Sequence, residues 1–239
     1  MRFRLLDHGF MGLQGASLFC FNYLLFYLAE LTLISGLAAV IFSTIVVMNT
    51  LNGIFFLGNS FERRMGIGAS LGFTGIGLVF WPEITSFETG SENLIAVGLG
   101  VLATLLASVG NIVSVRNQRH GVPVIEGNTY GMTYGAFIML LLSLFTGQEF
   151  SFEVTATYIG SLLFLSIFAS IIAFLSYLTL LGRVGVERGA YASLIFPLVA
   201  LGISTIVEDY QWSAYAGIGI GLILIGNVLI LKRSVKGVT

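Results

Sequence analysis

The stretch "GIGASLGFTGIG" at residues 66–77 returns, little changed, as "GIGIGLILIGNV" at residues 217–228. At one constant offset of 151 positions, Gly66, Ile67, Gly68, Leu71, Gly75 and Leu78 match Gly217, Ile218, Gly219, Leu222, Gly226 and Leu229. Two meanings compete for such a phrase. A glycine loop that cradles phosphate lies between a strand and a helix. Glycines inside a continuous apolar run instead let two membrane helices bring their backbones together. Here "LVFW" follows the first copy directly, so its glycines lie within an apolar span and the nucleotide reading falls away.

The rest of the chain agrees. Of its 239 residues 56% are hydrophobic and only 10% charged, and the mean hydropathy is +0.95. Soluble domains carry about 25% charged residues. Eight apolar stretches stand out, at residues 12–28, 34–57, 65–81, 94–115, 128–145, 158–181, 190–207 and 214–231. Each is near the length a helix needs to cross a ~30 Å hydrocarbon layer. The runs do not alternate polar with apolar, which argues against a barrel. The expected fold is an all-α polytopic membrane protein of about eight transmembrane helices.

Charge sets the expected orientation. Arg2 and Arg4 precede the first span, Arg63 and Arg64 precede the third, Arg116 and Arg119 end the fourth, Arg183 and Arg188 flank the sixth and seventh, and Lys232, Arg233 and Lys236 follow the eighth. With eight crossings, all of them fall on one side. The other side holds Glu30, Glu83, Glu88, Glu92, Glu149, Glu153, Glu208 and Asp209 and no base. The positive-inside rule then makes both termini cytoplasmic in a multi-pass protein of the cell (inner) membrane. Trp81 and Trp212 fall at outer span ends, where interfacial anchors belong.

The third and eighth spans are five crossings apart, an odd number, so the two glycine phrases face opposite ways. After a three-residue gap, "AAVIFS" of the second span also aligns with "ASLIFP" of the seventh. Inverted repeats of this kind mark secondary transporters. The expected division is residues 1–90 as an incomplete first repeat of three helices and residues 91–239 as a complete second repeat of five.

Polar side chains within spans are costly unless paired or facing water, so each is a candidate for contact with a solute. Asn22 and Tyr23 lie in the first span, Asn49 and Asn52 share a face of the second, Ser108 and Asn111 share a face of the fourth, and Tyr191 opens the seventh. Asn22, Tyr23, Asn49, Asn111 and Tyr191 are the candidate substrate-binding residues. Hydrogen bonding between helices is the competing role for each. Gly68/Gly72 and Gly217/Gly221 are GxxxG pairs expected to pack against neighbouring helices, and Pro197 is a candidate kink at a gate. No ionisable group lies deep in a span, so a neutral or zwitterionic solute is expected. The single Cys20, the distant His8 and His120, and the lack of a Ser/His/Asp set suggest no catalytic centre, metal or cofactor. No basic stripe suits nucleic acid.

Five stretches together resemble EamA-type permeases of the drug/metabolite transporter superfamily: "LQGASLFCFNYLLFYLAE", "RRMGIGASLGFTGIGLVFWPE", "GNIVSVRNQRHGVPV" with "GMTYGA", "YLTLLGRVGVERGAYASLIFPLVA" and "EDYQWSAYAGIGIGLILIGNVLIL". The resemblance implies ten helices in two inverted five-helix repeats, a central pocket, and transport, often export, of small metabolites. Against that pattern, "FLGNS" carries Asn59 where a Glu is common, and the first two helices have no counterpart. The reading frame is therefore expected to extend upstream by two spanning segments, about 50–60 residues. The expected function is a secondary transporter, an exporter, working by alternating access on a small-molecule solute in a lipid bilayer. A homodimer or complementing helices would cover the first-repeat side. The alternatives are a truncated fragment that does not transport, an assembly factor, or a membrane-embedded enzyme. Paired carboxylates near one interface would favour the enzyme.

Overall fold

The computed structural model describes residues 3–33, 35–59, 63–85, 90–148, 150–194, 199 and 213–231. Among these residues it is all-helical, with no strand. Helix α1 runs Leu5–Glu30. Helix α2 comprises Ser35–Ser43 and Ile45–Leu57, α3 is Arg63–Val79, α4 is Ser91–Arg119, and α5 is Val124–Phe145. Helix α6 runs Ala156–Val184. Helix α7 begins at Val186–Ala190 and tightens into a 3-10 turn over Tyr191–Leu194, and α8 is Ala214–Leu231. Among the described residues five helices, α1, α2, α4, α5 and α6, are long and apolar enough to cross a membrane.

Local chemistry explains the boundaries. Helix α2 is interrupted at Thr44, beside Ser43 and Thr44 hydroxyls that donate back to the carbonyls of Val40 and Ile41. Such back-bonding bends helices. It stops at Gly58, whose φ of +67° suits glycine, and the Asn59 N–H closes on the Gly53 carbonyl at 3.2 Å. Helix α1 starts seven residues before the apolar run because its first polar side chains have partners. His8 meets the Tyr134 hydroxyl at 2.8 Å, Asp7 lies 3.7 Å from Arg116, and Gln14 accepts from Asn117 at 3.2 Å. Arg116 also stacks over the Phe10 ring at 3.7 Å. Arg119 donates to the Leu57 carbonyl and to Asn59, both at 3.3 Å. The start of α1 and the ends of α2 and α4 thus meet at one end of the bundle, where Arg116 and Arg119 of α4 supply the bases.

Glycine sets the closest crossings. A Cβ built on Gly135 would lie 2.8 Å from the Gly15 carbonyl oxygen, and one on Gly110 2.7 Å from Leu18 Cβ, so α5 and α4 both press on the middle of α1. The repeated phrases of α3 and α8 pack directly on each other. A Cβ on Gly75 would lie 2.5 Å from the Gly219 oxygen, and one on Gly226 2.7 Å from the Gly68 oxygen and 3.2 Å from the Gly72 nitrogen. Numbers rise on one helix as they fall on the other, so the pair is antiparallel. The 151-residue offset carries Gly68 to Gly219 and Gly75 to Gly226. It therefore exchanges the two contacts, as a local two-fold axis between the helices requires.

That register corrects one expectation. A Cβ on Gly217 or Gly221 would meet nothing within 4 Å. The contact face of α8 is Gly219, Ile223 and Gly226. Gly217 lies two residues from Gly219, about 200° around a helix, and so looks away from α3. Gly68 and Gly72, by contrast, are buried beneath Gly226. Pro197 lies outside the described residues.

Two helices depart from α geometry at matching places. Within α1, Gly15–Phe21 forms a π-helical segment, and within α6, Leu165–Ala173 forms another. Their centres, residues 18 and 169, are again 151 apart. Such segments are rare and gather at functional sites.

Candidate functional site

Just beyond those two segments lies a cavity of about 450 Å³. Helix α1 supplies Leu18, Asn22, Tyr23, Phe26 and Glu30; α2 supplies Ala38, Ala39, Phe42 and Ile45; α4 supplies Ala107 and Asn111; α6 supplies Phe174 and Tyr177. Tyr23, Phe26 and Glu30 follow one another at three- and four-residue steps, which places them on one face of α1. The rings pack edge to face: Phe26 on Phe42 with centroids 5.7 Å apart, Phe19 on Phe174 at 5.0 Å, and Tyr23 tilted over Phe174 at 6.3 Å. The cavity lies between the walls contributed by α1 and α6.

The polar groups are few. Asn22 Nδ2 donates to the Ala103 carbonyl at 2.8 Å. Asn111 Nδ2 reaches the Tyr177 hydroxyl at 3.4 Å, while its Oδ1 is buried without a partner. Asn49 stands next to the same hydroxyl. Neither its nitrogen nor its oxygen meets a partner in bonding geometry, and the residue is fully buried. Leaving such groups unpaired costs about 1–3 kcal/mol each. Asn22, Asn111 and the Tyr177 phenol are thus the polar groups of the wall, with Asn49 behind Tyr177, and Glu30, exposed, also borders the cavity.

Of the residues singled out in the sequence, Asn22, Tyr23 and Asn111 line the cavity, and Asn49 lies behind Tyr177. Tyr191 does not line it. Its ring is 1% exposed and its hydroxyl donates to the Met65 carbonyl at 2.8 Å, tying α7 to α3. Asn52 donates to Ser108 at 2.8 Å, a bond between α2 and α4. Sequence reasoning passed over Phe26, Glu30, Phe42, Phe174 and Tyr177. The alignment of the second and seventh spans, continued upstream, carries Tyr23 to Tyr177 and could have found that one.

With that geometry in hand, likeness to known proteins carries weight. The model of the EamA-like transporter family matches residues 94–232. The chain is 27% identical over 224 residues to the uncharacterized transporter YvbV of Bacillus subtilis (strain 168), covering 90% of this chain and 70% of that protein. It is 25% identical over 221 residues to protein PagO of Salmonella typhimurium (strain LT2), covering 89% of this chain and 69% of that protein. A solved crystal structure shares the fold with a TM-score of 0.78 at 17% identity, covering 92% of this chain and 75% of that one.

Proposed function

The chain belongs to the EamA-like transporter family, and from that premise we propose that it exports a small solute across the cell membrane by alternating access, with both termini cytoplasmic. The solute sits in the cavity bounded by Asn22, Tyr23, Asn111 and Tyr177, with Asn49 behind Tyr177. One observation carries this reading. The walls from α1 and α6 each follow a π-helical segment, and the centres of the two segments lie 151 residues apart. A π-helical turn spends one residue more per hydrogen-bonded ring than an α turn, so shifting it along the helix turns the residues beyond it. Tyr23 and Phe26 on one side, and Phe174 and Tyr177 on the other, can then exchange roles between two states of similar energy. That balance is what inverted repeats supply to carriers.

At the end opposite Glu30, the contacts of Asp7, His8, Gln14, Arg116, Asn117 and Arg119 draw α1, α2, α4 and α5 together. In the proposed cycle they form the closed gate and must part when the cavity turns to the other side. The test needs no knowledge of the solute. With Cys20 changed to Ser, Ala107→Cys in the cavity wall is exposed to a membrane-impermeant maleimide in right-side-out and in inverted vesicles. Alternating access gives labelling from both sides. Labelling from one side only overturns the reading.

A further inference from the structure

The polar lining of the cavity comprises Asn22, Asn111, Glu30 and the Tyr23 and Tyr177 hydroxyls, which both donate and accept. Asn22 turns its amide nitrogen to the Ala103 carbonyl, an acceptor only, which fixes the orientation of the carboxamide. Its Oδ1 has no hydrogen-bond partner among the described residues. Asn111 Oδ1 is also unpartnered but has no accessible surface, so it lies behind the lining and not in reach of a solute. The walls add the ring faces of Tyr23, Phe26, Phe42, Phe174 and Tyr177, which carry partial negative charge. The one ionisable acid or base in the lining is Glu30, and none of the described lining residues is Lys, Arg or His. A carboxylate in this space would be stripped of water with no counter-charge. An ammonium would bring three donors to the unpaired Asn22 oxygen and lie against aromatic faces, the arrangement that favours organic cations. A volume of about 450 Å³ holds much more than the ~150 Å³ that admits a benzene ring.

We propose that the cavity takes a protonated primary amine with an apolar body of about one aromatic ring and no carboxylate. The ammonium is held by Asn22 Oδ1 among the aromatic walls, and Glu30 draws it in at the mouth. This deepens the transport reading and rests on the same cavity. It also changes the expectation of a neutral or zwitterionic solute. The relevant carboxylate lies at a span end, where the sequence alone does not connect it to any pocket.

The test is calorimetric binding to the purified full chain in detergent at pH 7, with four probes of one shape: phenethylamine, phenylalanine, 3-phenylpropionamide and 3-phenylpropionate. Phenethylamine is expected to bind at least tenfold more tightly than phenylalanine, the neutral amide in between, and the anion not measurably. Glu30 is exposed, so Glu30→Gln leaves the fold intact. It should weaken phenethylamine three- to tenfold at low salt, leave the amide unchanged, and lose most of its effect at 0.5 M salt. Phenylalanine or the anion binding as tightly as the amine overturns the proposal. So does an equal effect of Glu30→Gln on amine and amide, or no binding of phenethylamine at millimolar concentration. Labelling of Ala107→Cys from both sides without amine preference sinks this inference alone. Amine preference with labelling from one side sinks the transport cycle and leaves the ligand class standing.

Discussion

Replacing Gly226 with Ala adds one methyl group at the crossing of α3 and α8. An ideal Cβ there lies 2.7 Å from the Gly68 oxygen and 3.2 Å from the Gly72 nitrogen. Ordinary contact begins near 3.4 Å, so the two backbones must part by about 0.7 Å. A gap of that size forfeits a quarter to a half of the dispersion attraction of every atom pair it opens. In a membrane this attraction is the main force between helices, because lipid is as apolar as the contact. Overpacking of this kind costs about 1–3 kcal/mol. For a chain of 150–250 residues each kcal/mol moves the melting temperature by about 2–4 °C, which gives a fall of roughly 2–12 °C. The matched control is Gly217→Ala, whose Cβ meets nothing within 4 Å. It should leave melting unchanged or raise it slightly, since Ala favours helix over Gly by about 1 kcal/mol. Both are read as thermal melts of the purified protein in one detergent. Gly226→Ala melting at or above the parent while Gly217→Ala melts below it would refute the antiparallel register of α3 and α8.

Tyr191→Phe removes the donor to the buried Met65 carbonyl and should cost about 1–3 kcal/mol in the same melt; a loss of ligand affinity without a change in melting would instead make Tyr191 part of the site. Arg116→Ala loses the Phe10 stacking and the 3.7 Å contact with Asp7. It should destabilise by about 0.5–1 kcal/mol, less at high salt, and an effect that ignores salt would leave only the packing contribution. Single cysteines at Glu30, Glu92 and Glu153 should react on the face of the membrane opposite those at Arg64, Arg119 and Arg183. Glu92 and Arg119 on one face would break the inverted topology. Deleting one residue from the π-helical segment Leu165–Ala173 should restore a plain α-helix and confine labelling of Ala107→Cys to one side. Labelling that persists from both sides would remove this segment from the cycle.

The membrane class and the places of the five long apolar helices were legible in the sequence. Each depends on composition or periodicity within a short window, and lipid enforces those locally: an apolar run of spanning length has few other homes. Which residues meet across helices was not legible. The glycine-rich phrase of α8 carries glycine on two faces about 200° apart, and GxxxG spacing favours Gly217 and Gly221 as readily as Gly219 and Gly226. Only the register against α3, some 150 residues away, selects the second face. The same holds for the cavity. Asn22, Asn49 and Asn111 can be suspected one at a time because an intramembrane carboxamide is costly. The convergence of Asn49 and Asn111 on Tyr177, with Asn22 on the same cavity, depends on the mutual rotation of α1, α2, α4 and α6. Tyr191, equally suspect by type, is instead satisfied by the Met65 carbonyl. Helix rotation and register are set by contacts between distant parts of the chain, and these carry no signature in the local pattern that makes each part a helix.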